Sequence, residues 1–246
     1  MGLIVTFILG LFILLGASIS VFNKHNKDFI NFSLGLAFGV ITLLILVELI
    51  PHTIEVLNEV NSPLNSIVIL LGFAASGIII LKIFDMFIPE HDSAGNENLE
   101  HIGLLTAIAL ILHNIIEGMA VYNITEVSIS SGILISIGVG LHNIPLGMII
   151  TETLYEGNKN KKKTSLVVIL ISLSTFIGGL LMLLLNDYFT INIQGIILSI
   201  TLGMLVFISI FELLPKIIKI KDKKNISKGI LVGIVLIIIA LIFHHH

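Results

Sequence analysis

The sequence predicts an all-α protein that crosses a membrane eight times, with both termini outside the cytoplasm. Composition, the number of long apolar runs and the placement of the lysines lead to this prediction. Of the 246 residues, 56% are hydrophobic and 12% are charged, and the mean hydropathy is +1.10. Soluble domains carry about 25% charged residues, and here the apolar excess extends along the whole chain. We therefore expect residues 1–246 to form a single transmembrane domain.

Eight apolar runs are long enough to span a bilayer core, which takes about 20 helical residues. They cover residues 3–22, 29–51, 64–86, 102–122, 128–154, 164–186, 194–215 and 228–243. The first run lacks the basic residues that begin a signal peptide, so it is predicted to be a spanning helix. Pro145 in the long fifth run predicts a tilt or a break, because proline removes a backbone hydrogen bond.

The lysines predict the orientation of these spans. All 13 basic residues are lysines, and they lie at or after the ends of spans 1, 3, 5 and 7. Lysine-bearing loops face the cytoplasm, so both termini are predicted to be outside. The lysine clusters are interpreted as topology signals and as contacts for anionic membrane lipids, and no nucleic-acid binding is expected.

The predicted cytoplasmic loop, at about 88–101 between spans 3 and 4, is polar. Its acidic and histidine residues are Glu90, His91, Asp92, Glu97, Glu100 and His101. Such a loop can hold a metal ion transiently, but a solvated loop is the expectation.

Several chemistries are excluded by missing residues or motifs. The chain has no cysteine, which excludes disulfides and thiolate metal sites. The sequence also contains no HExxH, GxxxxGK[ST] or GxSxG motif, so it gives no sign of a zincin protease, an ATP-driven pump or a hydrolase. We expect a protein that is not an enzyme and has no cofactor.

The most informative polar residues lie in the middle of span 4. In HNIIEG (113–118), His113 and Glu117 are four residues apart and share a helical face, with Asn114 beside it. Glu117 is interpreted as the one carboxylate well inside the membrane, where a charge costs roughly 2.5–3.5 kcal/mol. Imidazole, carboxylate and amide groups together suit Zn²⁺, Fe²⁺, Co²⁺, Ni²⁺ or Mn²⁺. The alternative to a metal site is a structural hydrogen-bond network among these side chains. This alternative is strongest for a single buried histidine taken alone.

Two pairs of similar segments suggest an inverted repeat. HNIIEG recurs as HNIPLG (142–147), which adds His142 and Asn143 on span 5. FGVITLLILVELIP (38–51) in span 2 resembles LGMLVFISIFELLP (202–215) in span 7. Both pairs join antiparallel spans, and inverted repeats with a site near the midplane are common in transporters.

Acidic residues also lie near the ends of spans 2 and 7. Glu48, His52 and Glu55 are at the predicted outer end of span 2, where they can form a metal entrance or be solvated at the interface. Glu212 is near the predicted inner end of span 7, where it can line an exit or pair with a lysine.

Together, the eight spans, the His-bearing loop and the paired HN motifs resemble the ZIP (Zrt/Irt-like protein) family of divalent metal transporters. The resemblance covers essentially the whole chain. It implies passage of Zn²⁺, Fe²⁺ or Mn²⁺ into the cytoplasm of a bacterial or archaeal cell, by an elevator-like or rocking motion, and it implies a homodimer. It also implies which residues bind the metal ion and which line its pathway. His52 is a further candidate for the pathway. The implied ligands are His113, Asn114, Glu117, His142 and Asn143, and the implied pathway residues are Glu48 and Glu212.

The chain departs from the family pattern at three positions. Ile116 stands where span 4 usually has proline, Leu146 where span 5 usually has glutamate, and Thr175 near where span 6 often contributes glutamate. Two alternatives therefore stay open: a membrane metal-binding or regulatory protein that has lost transport, and a metal exporter.

Overall fold

The computed structural model describes residues 1–22, 27–87, 99–185 and 188–244, which are almost entirely helical. Within this part, eight helices are long and apolar enough to cross a membrane, as predicted. They are α1 (Gly2–Phe22), α2 (Asp28–Asn58), α3 (Pro63–Phe87), α4 (Leu99–Val127), α5 (Ile129–Asn158), α6 (Lys161–Leu185), α7 (Ile191–Lys219) and α8 (Lys224–His244).

The helices extend beyond the apolar runs, so the end of the predicted cytoplasmic loop at about 88–101 is helical. Residues 88–98 of the predicted loop lie outside the described residues, but α4 already begins at Leu99. His101 therefore belongs to a helix, and its side chain is only 4% exposed. The expectation of a solvated position was wrong for His101, because a polar residue in the first turn of a helix still packs against neighbouring helices.

The helices form two groups of four. In the first group, α1 and α4 each pack against both α5 and α6. In the second, α2 packs against α8 and α3 packs against α7. The groups meet where α5 contacts α2 and α8 and where α4 contacts α7. The two helices with HN motifs, α4 and α5, belong to the same group.

Pairs of glycines set the closest helix approaches within each group. At each of these glycines, an added Cβ would lie 1.9 to 2.2 Å from a carbonyl oxygen of the facing helix. The pairs are Gly16 with Gly147 (α1 and α5), Gly118 with Gly178 (α4 and α6), Gly35 with Gly229 (α2 and α8), and Gly77 with Gly203 (α3 and α7). Exchanging α1 with α6, α4 with α5, α2 with α7 and α3 with α8 maps these pairs onto one another. This is the pattern that an inverted repeat requires, and small residues are the usual means of close helix packing in membranes.

We expect Gly178→Ala to destabilise the protein, although alanine favours a helix by about 1 kcal/mol over glycine. The added methyl would lie 1.9 Å from the Ile115 carbonyl oxygen, so backbone must move, and overpacking costs about 1–3 kcal/mol. Gly72→Ala is the matched control, because no atom lies within 4 Å of its added Cβ. Thermal unfolding in detergent should show a lower melting temperature for Gly178→Ala only. Equal melting temperatures for the two variants would contradict the packing role.

The prolines affect the helices differently. Pro145 lies inside α5, which runs unbroken from Ile129 to Asn158, so the predicted break is absent. In α2 and α7, by contrast, a wide π-helical turn precedes the proline, over Ile45–Leu49 and Ile208–Leu213. A wide turn relieves the clash between a proline ring and the preceding turn. These turns contain Glu48 and Glu212, so the second pair of similar segments is similar in backbone as well as in sequence.

Candidate metal site

Three of the predicted metal ligands converge where α4 packs against α5. Glu117 Oε1 lies 2.8 Å from His113 Nε2 and 2.8 Å from His142 Nε2. Both imidazoles are buried, and their ring centroids are 6.2 Å apart. One ligand atom from each of the three residues lies within 4.8 Å of the others, a separation that lets them hold one metal ion. The i, i+4 spacing in α4 and the packing of α5 thus produce the predicted cluster.

The Nε2 atom of His113 forms no well-aligned hydrogen bond despite its short distance to Glu117. This atom has no partner with hydrogen-bond geometry in the described part of the chain, whereas His142 Nε2 forms a hydrogen bond with the same carboxylate oxygen. A buried polar atom left without a partner costs roughly 1–3 kcal/mol. A cation between the two rings would use the His113 nitrogen and compensate the carboxylate charge.

The two asparagines are fixed by their amide nitrogens and present their oxygens. Asn143 Nδ2 donates to Glu117 Oε2 at 3.4 Å, and Asn114 Nδ2 donates to the Ile171 carbonyl oxygen at 3.3 Å. Both side chains are fully buried, and neither Oδ1 atom has a hydrogen-bond partner among the described residues. Amide oxygens accept hydrogen bonds and bind cations. They are therefore available as further ligands.

A cavity of about 340 Å³ connects this cluster with the end of α2. His113 and Glu117 line one part of it, and Glu48 and His52 line another. The structure thus brings two of the predicted pathway residues into the same cavity as the central histidine and carboxylate. Glu55 instead is exposed beside Pro51 and Asn58, outside this cavity.

Glu212, the third predicted pathway residue, lies in a second group of metal-ligating side chains with Asp85 and His101. Ligand atoms of these three residues lie within 4.8 Å of one another. His101 Nε2 is 2.7 Å from Asp85 Oδ1, and Lys82 pairs with the other Asp85 oxygen. The group joins α3, α4 and α7. Asp85 was missed in the sequence because no helical spacing links it to His101 or Glu212.

Glu152 is a second carboxylate inside the bundle. It is fully buried in α5 and accepts a hydrogen bond from Ser20 Oγ at 2.6 Å. Glu117 is therefore not the only carboxylate buried among the described helices, and its place as the one carboxylate well inside the membrane stays a prediction. Glu152 lies near the end of the predicted fifth span, where a carboxylate would normally reach the interface, and its hydrogen bond with Ser20 joins it to α1.

Eight apolar helices around a buried His–Glu–His cluster, with a cavity that Glu48 and His52 also line, define a membrane transporter for metal cations. Comparison with known proteins agrees. A family model described as "ZIP Zinc transporter" matches residues 89–242. The zinc transporter ZupT of Clostridium perfringens is 30% identical over 98% of this chain and 95% of its own length. ZupT of Streptococcus mutans is 30% identical over 97% and 96%, and ZupT of Akkermansia muciniphila is 28% identical over 97% and 96%.

The chain belongs to the ZIP family. It is a multi-pass protein of the cell membrane that transports divalent metal ions, and it is not an enzyme. The predicted family, helix count and class of function are thereby confirmed. The metal ion is the cargo of the protein rather than a resident cofactor.

Proposed function

We propose that the protein carries Zn²⁺ into the cytoplasm and binds it with His113, Glu117 and His142. Two imidazole nitrogens and a carboxylate oxygen are a ligand set that zinc takes in tetrahedral sites, with a fourth position for an amide oxygen or water. The convergence of these three side chains within 4.8 Å is the observation that carries the proposal. The names of the relatives support zinc as the cargo. Fe²⁺ and Mn²⁺ accept the same donors and are proposed as competing ions.

The proposed direction follows from the two polar groups on either side of the centre. With the lysine-bearing ends in the cytoplasm, Glu48 and His52 lie on the outer side and share the cavity of His113. The Asp85–His101–Glu212 group lies toward the lysine-bearing side, where it would receive the ion before release. Zinc would thus pass three successive sets of ligands.

The two helix groups supply a mechanism of movement. The central ligands are on α4 and α5, which pack closely against α1 and α6 through glycines. The outer Glu48 and the inner Glu212 belong to the other group. A rocking or elevator-like displacement of one group against the other would move the bound ion from the Glu48 side to the Glu212 side. Residues 1–246 would act as one transmembrane domain, and the homodimer implied by the resemblance stays a prediction.

Purified protein reconstituted in liposomes that contain a zinc-sensitive fluorophore tests the proposal. An inward zinc gradient should give a rise in fluorescence well above that of protein-free liposomes. The same assay with Fe²⁺ or Mn²⁺ as competitor measures selectivity. If no divalent metal enters while equilibrium binding still detects zinc, the binding or regulatory alternative holds instead. Vesicles with a single protein orientation distinguish import from export.

A further inference from the structure

A groove that the metal pathway does not use lies between α1, α5 and α6. Its volume is about 960 Å³. Apolar side chains such as Leu14, Val21 and Val168 form much of its wall, and charged residues line it where α5 ends and α6 begins. The charged residues of the lining are Glu156, Lys159 and Lys161. The groove therefore combines an apolar wall with a charged rim at the lysine-bearing end of the molecule.

The charges at the rim leave one cation in excess. Lys159 Nζ pairs with Glu156 at 2.5 Å and lies 5.6 Å from the centre of the Tyr155 ring. Lys163 points away and pairs with Glu100 at 2.6 Å. Lys161 is exposed and forms no ion pair within the described residues. An anion at the rim would therefore meet an ammonium group that has no competing carboxylate.

A buried hydroxyl group provides an independent indication of a ligand. Thr164 lines the groove and is 4% exposed, yet its Oγ1 atom has no hydrogen-bond partner in the part of the chain that the structure describes. Leaving such a group without a partner is costly, so an acceptor atom from outside the chain is expected there. Thr164 is three residues after Lys161 on α6, so both face the same side. A ligand with several oxygens can contact the ammonium group and the hydroxyl together.

We propose that this groove binds one anionic phospholipid of the cytoplasmic leaflet. The phosphate would lie at Lys161, a phosphate or ester oxygen would accept from Thr164, and an acyl chain would follow the apolar wall. A soluble anion would leave that wall unmatched, including Val21 and Ile169, which are 58% and 46% exposed. Basic sites between transmembrane helices bind anionic headgroups in this way. The inference does not rest on zinc as the cargo.

Native mass spectrometry of the detergent-solubilised full chain, in metal-free buffer, tests the inference. The probes are phosphatidylglycerol and phosphatidylcholine with identical acyl chains. The first phosphatidylglycerol molecule should bind about tenfold more tightly than phosphatidylcholine. Equal affinities for the two lipids would overturn the proposal and indicate ordinary annular lipid.

Variants locate the binding site. Lys161→Glu should lower the affinity for the first phosphatidylglycerol molecule about tenfold. Thr164→Val, which keeps the side-chain volume, should lower the same affinity several-fold. Lys219→Glu is the matched control, because Lys219 is also an exposed lysine at the same end but does not line the groove. If Lys161→Glu and Lys219→Glu weaken binding equally, general charge attraction replaces the proposed site. Should Lys161→Glu not fold, Lys161→Ala gives the same comparison with a smaller change.

Discussion

Glu117→Ala is expected to abolish metal transport while the helix bundle stays folded. Glu117 Oε1 is the atom on which His113 and His142 converge, so its removal deletes the only carboxylate of the central cluster. Changes to residues that merely orient metal ligands cost about 10–100-fold. The loss of the charged ligand itself should therefore exceed about 100-fold in zinc uptake. The fold should survive, because alanine is a good helix former and the variant no longer buries a charge.

Uptake into liposomes and equilibrium zinc binding should both be measured for this variant. Glu117→Gln separates charge from shape, since it keeps the side-chain size and can still bond with His142, and it should also lose transport. Glu126→Gln is the control on the same helix, because Glu126 is 47% exposed and contacts the chain terminus rather than the site. Wild-type uptake by a well-folded Glu117→Ala protein would refute the proposed ligand role.

The helical fold and the proximity of His113, Glu117 and His142 were largely predictable from sequence. Apolar run length fixed the eight helices, because a bilayer demands a minimum span. The spacing of His113 and Glu117 placed them on one face, and the repeated HN motif predicted His142 as their partner. These inferences worked because they depend on local periodicity and on the high cost of polar groups in a membrane.

The remaining features depend on packing between helices that are distant in sequence. Asp85 and His101 meet only because α3 and α4 come together, and Glu152 meets Ser20 only because α5 packs against α1. The continuous course of α5 through Pro145 is likewise not predicted by the local sequence, since proline alone would favour a kink. No periodicity in a single helix carries this information.

The central site is expected to hold one zinc ion per chain, and Leu146→Glu should change this. Leu146 follows His142 by one helical turn, so it lies on the same side of α5. It is 1% exposed and belongs to the apolar core, so the unmodified chain has no carboxylate there. With one carboxylate, a bound Zn²⁺ keeps a net positive charge, which favours weaker binding and faster release. The second carboxylate of Leu146→Glu would neutralise that net positive charge, or it would hold a second metal ion beside Glu117.

Equilibrium dialysis followed by elemental analysis measures this as the difference in bound zinc from Glu117→Ala, which lacks the central carboxylate but keeps the other two sets of ligands. Wild-type protein should bind one zinc ion at the site, and Leu146→Glu should bind two, or bind one at least tenfold more tightly. Zinc transport by Leu146→Glu should then be slower, because the release of a more strongly bound ion limits the transport rate.

Leu146→Gln is the matched control, since it adds a polar group of the same size without charge and should leave the stoichiometry at one. Two fully occupied ions about 4 Å apart in the unmodified protein, the spacing of bridged metal pairs, would contradict the prediction.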